Sequence, residues 1–169
     1  MSLILALMLI TVAGQEAPVQ RQVPVEVFQV TELPLTLTDP TLIKTKDGYL
    51  LKCQLANNSE FEALGLRYSL AVADSMNVIS AIISRNEGLR LPEFETRSLT
   101  FKTPIKLKIK SDERLVLMLD HVIGTDYLWD VMKATEALKA YLAGDYSVAP
   151  RVVRSLNQVD APPRIQVIH

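Results

Sequence analysis

Few residues in this sequence are of a kind to do chemistry, and their settings restrict what that chemistry is. Cys53 is the single cysteine, so no disulfide closes within the chain. It lies in Leu51-Lys52-Cys53-Gln54-Leu55, where strand alternation puts the thiol on one face with two leucines, and it reads as a small buried hydrophobe. Of the two histidines, His121 sits inside an apolar run and His169 is the last residue; neither belongs to a Cys/His cluster or an HExxH pair that would hold zinc. In a regular strand His121 and its neighbour Asp120 point to opposite sides, which argues against a coupled pair. Glu93 and Glu95 share a face if extended, near Asn86 and Glu87, but calcium takes about six to eight oxygens that nothing local supplies, so these acids read as a solvated loop. The 6 glycines are too dispersed to cradle a phosphate, and no GxSxG elbow is present. These residues favour a non-enzymatic protein with no metal and no cofactor. The alternative is an envelope-associated enzyme whose carboxylate pair is assembled from distant parts of the chain.

Two features point instead to binding. Lys102, Lys106, Lys108 and Lys110 fall at even spacing and form a basic ridge along an extended segment, suited to an anionic polysaccharide, a lipid headgroup or an acidic protein. The same lysines on an exposed strand would also blunt edge-to-edge pairing. No aromatic residues interleave with them for base stacking, so a nucleic-acid role is not expected. Trp129, the only tryptophan, falls on the polar side of a predicted helix, where it is a candidate contact for a protein partner or a second subunit; the alternative is that the proline-containing tail covers it. Asn57-Asn58-Ser59 is a glycosylation sequon if the chain passes through a eukaryotic secretory route.

The elements that must position these residues follow from composition and periodicity. The chain has 169 residues, 49% hydrophobic and 22% charged, with 18 Lys+Arg against 19 Asp+Glu: one globular domain with short extras, neither disordered nor basic enough for a dedicated polyanion binder. Leu3 to Ala13 is an apolar run too short to span a bilayer; with Val12-Ala13-Gly14 behind it, residues 1–14 read as a signal peptide, which implies an extracytoplasmic protein, periplasmic or secreted. Residues 15–24, rich in Gln with Pro18 and Pro24, read as a flexible leader. Residues 25–124 carry short alternating strands between turn signals, the pattern of an antiparallel sandwich. Turns are expected at Asp39-Pro40, at Lys46-Asp47-Gly48, where Asp-Gly favours a tight hairpin, at Asp74 to Asn77 and at Asn86-Glu87-Gly88. Leu99 to Ile109 holds one apolar parity as a long extended segment, and Leu115 to Ile123, apolar on both sides, predicts a central strand. Residues 125–144 predict an amphipathic helix, with Thr125 as its cap, Tyr127, Leu128, Val131, Leu138 and Leu142 on one stripe and Gly144 as its stop. Residues 145–169 read as an extended tail containing Pro and Arg, ending in the strand-like Ile165 to Ile168.

The strand ending in Asn (Leu50 to Asn58), the run Leu66-Arg67-Tyr68-Ser69-Leu70-Ala71-Val72-Ala73-Asp74, the Leu91-Pro92 loop and Leu99-Thr100-Phe101-Lys102 together resemble bacterial FxLYD-type, immunoglobulin-like β-sandwich modules of exported proteins. Glu93 stands where that pattern usually has Gly after the Pro, and the helix is additional to it. The resemblance covers roughly residues 40–123 and implies a non-enzymatic interaction module of the envelope or the cell exterior; it transfers no site residues. The expectation is a mainly β, immunoglobulin-like antiparallel sandwich with one C-terminal amphipathic helix, working as an exported binding or structural module, with an anionic-ligand binder and an envelope enzyme as alternatives.

Overall fold

A computed structural model describes residues 22–157 of the chain. The apolar run at residues 1–14, most of the leader and the strand-like Ile165 to Ile168 lie outside the described residues. The elements in order are β1 (Gln22–Pro24), β2 (Glu26–Val27), β3 (Leu35–Thr45), β4 (Gly48–Asn57), β5 (Ala63–Ala73), β6 (Ile79–Leu91), β7 (Thr96–Thr100), β8 (Arg114–Gly124), β9 (Tyr127–Met132), α1 (Ala134–Leu142) and β10 (Arg151–Leu156). They make a mainly β protein of two open sheets, one ordered β1-β3-β4-β7 and the other β10-β9-β8-β5-β6, with β2 added in parallel beside β8. All other pairings are antiparallel. The expected sandwich is the observed architecture.

Period-two alternation builds the layer between the sheets. Leu35, Leu37 and Leu42 of β3 and Leu51, Cys53 and Leu55 of β4 meet Leu66, Tyr68, Leu70 and Val72 of β5 and Leu115, Leu117 and Leu119 of β8, all buried in one cluster. β8 lies between β5 on one side and β9 with β2 on the other, the central position that its two-sided apolar sequence predicts. The residues of opposite parity, Ala71, Ala73, Val116 and Met118, face outward yet are fully buried. α1 packs against β5 and buries Ala137, Leu138 and Leu142, which accounts for that second apolar layer.

Several sequence expectations are corrected. Asp39-Pro40 is a one-residue bulge inside a continuous β3, with Asp39 at φ 51°, and not a turn between strands. Asn86-Glu87-Gly88 lies within β6, paired residue by residue with β5, because cross-strand pairing outweighs the local turn preference of these residues. The regular ladder of the segment after Leu99 ends at Thr100; beyond it Phe101 N–H still bonds Leu51 O at 2.8 Å, and an isolated bridge, Tyr49 to Ile105, follows. The last three residues of the leader pair with β3 as β1.

The largest correction concerns the helix. Its first half, Tyr127–Met132, is strand β9, and only Ala134–Leu142 is helical. Tyr127, Trp129 and Val131 favour extended backbone, and the strand has a partner on each side, β8 and β10, so tertiary pairing overrides the helical periodicity. Lys133, at φ 53°, makes the break, and Gly144, at φ 75°, ends the helix as expected, with Gly144 N–H bonding Tyr141 O at 3.0 Å and Asp145 N–H bonding Ala140 O at 2.9 Å. The start of the tail is also structured, since Arg151–Leu156 forms β10 against β9.

Candidate functional site

Pairing of β9 with β8 and β10 relocates Trp129. The side chain expected to stand exposed on a helix is 7% exposed, so it does not present itself as the free contact the sequence suggested. It packs instead over Gly124, where an added Cβ would lie 2.9 Å from the indole Cζ3, and sits in an aromatic cluster: Phe61 to Tyr127 4.8 Å, Tyr127 to Trp129 5.9 Å and Phe61 to Trp129 6.3 Å between ring centres. The Arg154 guanidinium lies 4.6 Å above the Tyr127 ring, a cation–π contact across β9 and β10.

This cluster forms part of the wall of a recess of about 320 Å³ shared by Glu32, Pro34, Glu60, Phe61, Phe94, Trp129 and Arg154. Buried Asn57 holds its loops together: Nδ2 donates to Phe61 O at 2.8 Å and Pro92 O at 3.0 Å, while Oδ1 accepts from the Ser59 amide at 3.1 Å. The sequon asparagine is therefore a buried structural brace. At the lip stands Phe94, 73% exposed at φ 54°, a left-handed conformation that a bulky side chain rarely adopts. No sequence signal marks Phe94, since its backbone comes from the chain crossing from β6 to β7 and not from its own preference.

A polar group occupies the outer face of the same sheet that carries Trp129, beside the start of α1. A bulge pairs Arg67 with His121 and Tyr68 with Leu119, leaving Asp120 as the extra residue, so Asp120 and His121 share a face instead of splitting across the strand. Asp120, 2% exposed, accepts from Arg67 Nε and Ser69 Oγ; Asp130 accepts from Arg67 Nη2 at 3.2 Å and lies 3.1 Å from His121 Nδ1. Both Asp120 oxygens are thus engaged, and the cluster ties β5, β8 and β9 together around a shallow recess of about 420 Å³. Among the described residues no group of three His, Cys, Asp or Glu is arranged to hold a metal ion. Glu95, half of the acidic pair noted in the sequence, is bonded to Arg97, with Nε 2.9 Å away.

All four ridge lysines are exposed. Lys110 reaches Glu113 at 4.0 Å, whereas Lys102, Lys106 and Lys108 have no carboxylate within salt-bridge distance among the described residues. The structure does not bring this row to Trp129, which lines a different recess. A recess of about 590 Å³ beside Gln22 gathers Glu26, Lys110, Glu113 and Arg114, already paired as Arg114 with Glu26 at 3.7 Å and Lys110 with Glu113. No family model, curated protein or solved structure matches the chain. The described residues define a two-sheet β protein with an aromatic recess at one place and an exposed lysine row, unpaired at Lys102, Lys106 and Lys108, at another.

Proposed function

We propose that the chain is an exported, non-enzymatic binding module of the cell envelope or exterior, of immunoglobulin-like kind, whose protein partner docks at the recess beside Trp129. The observation that supports this is Phe94. A left-handed backbone at a bulky residue costs on the order of 1–3 kcal/mol, and such strain collects at ligand clamps; here it holds a large apolar side chain in solvent at the lip of an aromatic-walled recess. The test is capture from an envelope extract by the wild type and by Phe94→Ser. A partner retained by the wild type and lost with the variant supports the reading; identical capture by both overturns it. The export component is checked by mass spectrometry of the protein recovered outside the cytoplasm, where a chain beginning at Gln15 is expected and an intact Met1 would contradict it.

The exposed, unpaired Lys102, Lys106 and Lys108 favour a second reading, an anionic ligand held along the ridge. Salt-sensitive binding to dextran sulfate that weakens in the triple Lys→Gln variant would support it, and binding unchanged in that variant would remove it.

A further inference from the structure

β6 is an edge strand of 13 residues that pairs with β5 alone among the described residues. Edges of this length are normally blunted by Lys, Pro, a bulge or inward-pointing charges; β6 has no Lys or Pro, its bulges lie near its two ends, and the inward charges it carries, Arg85 and Glu87, are of opposite sign. Its odd-numbered residues turn their backbone groups toward β5, as the Glu87 carbonyl does, lying 3.2 Å from where a Cβ on Gly65 would sit. The even-numbered ones turn outward: Ser84 O accepts from Arg85 Nη1 at 3.3 Å and Arg90 O from Arg97 Nη1 at 3.1 Å, side-chain caps that a second strand can displace.

The side chains on this edge are charged in a particular order. Arg85 stands opposite Tyr68 and Glu87 opposite Leu66, so both project between the sheets, where Arg85 Nε, Glu87 Oε1 and the Tyr68 hydroxyl are buried without hydrogen-bond partners. Glu87 keeps one contact, from Thr103 Oγ1 at 3.4 Å. If a second β6 pairs antiparallel about a two-fold axis at Asn86, Arg85 of each chain faces Glu87 of the other, Ile83 faces Leu89 and Ser84 faces Gly88. An axis at Arg85 or at Glu87 sets like charges against each other, one at Ser84 or Gly88 sets both charges against apolar residues, and an odd shift turns inward faces against outward ones. We propose that two copies of this chain associate through β6 about an axis at Asn86, joining their β5-containing sheets into one.

This is independent of the Trp129 recess and is tested by sedimentation velocity on the full chain, with circular dichroism as the check on folding. The wild type is expected to sediment as a dimer. Arg85→Glu and Glu87→Arg, which place two like-charge contacts across the axis, are each expected to halve the sedimenting mass. Mixing the two variants makes both contacts opposite in charge and should restore the dimer. Asn86→Pro removes an outward-facing N–H without touching the β5 ladder, and should also give monomer even if a charge variant fails to fold. A monomeric wild type, dimeric single variants, or a mixture that stays monomeric overturns the proposal.

Discussion

Cys53 and Trp129 were equally conspicuous in the sequence, and the structure treats them differently for a reason that lies in what each position depends on. The environment of Cys53 follows from local alternation, since Leu51, Cys53 and Leu55 share the buried face of β4. Burial pushes its thiol up to about 12, so at neutral pH it is protonated and shielded. A thiol-reactive chromogenic disulfide at pH 8 should therefore leave the native protein unlabelled and react with one thiol once guanidinium unfolds it; rapid labelling of the folded protein would contradict this burial. Trp129 depends on something no local pattern contains, namely whether residues 127–132 find strand partners on both sides. Asp120 and His121 were misread for a similar reason, because a single bulge residue reverses the parity that places them. The lysine row was legible because exposed charges need only solvent.

At the scale of elements, what could be read was what short-range chemistry decides. The hairpin at Lys46-Asp47-Gly48 is of that kind: Gly48 takes φ 140°, and an added Cβ would lie 2.6 Å from the Ile105 carbonyl oxygen. Gly48→Ala combines a disfavoured φ with a backbone clash and should destabilise by more than about 1 kcal/mol in denaturant melts. The docking of α1, in contrast, uses residues far apart in the chain. Tyr141 stacks on Phe28 at 4.3 Å and its hydroxyl donates to Glu26, which with burial raises the phenol to about 12. Because the folded state holds this proton more tightly than the unfolded chain does, its contribution is complete below about pH 10 and is lost as pH rises toward 12. Tyr141→Phe should cost about 0.5 kcal/mol at neutral pH, a small value suited to a partly exposed bond. The stability gap between the wild type and this variant should close across that alkaline window; a gap that stays constant would show that the hydroxyl bond to Glu26 is not its source.

Across the whole molecule the two apolar layers are one. The buried cluster between the sheets is continuous with Val116, Met118 and Ala71 on the outer face, and through them with Leu138 and Leu142 of α1. The helix is therefore a third layer on the sandwich and not an appendage, which also explains why a sequence reading that gave it residues 125–144 was right that it covers a surface and wrong about its length. The recess beside Trp129 draws on this same arrangement, because its walls come from five separate stretches of chain and exist only once both sheets have formed. Continuity makes a specific demand on unfolding. Truncating fully buried Leu138 to Ala should remove about 2–4 kcal/mol, the usual cost of a leucine-sized cavity. If α1 belongs to the common core, that loss should move the entire transition: Trp129 fluorescence, which reports β9, and far-ultraviolet circular dichroism, which reports the sheets, should shift together to lower denaturant with an unchanged slope. A helix that melts separately would instead split the two probes, leaving the sheet transition where it is in the wild type.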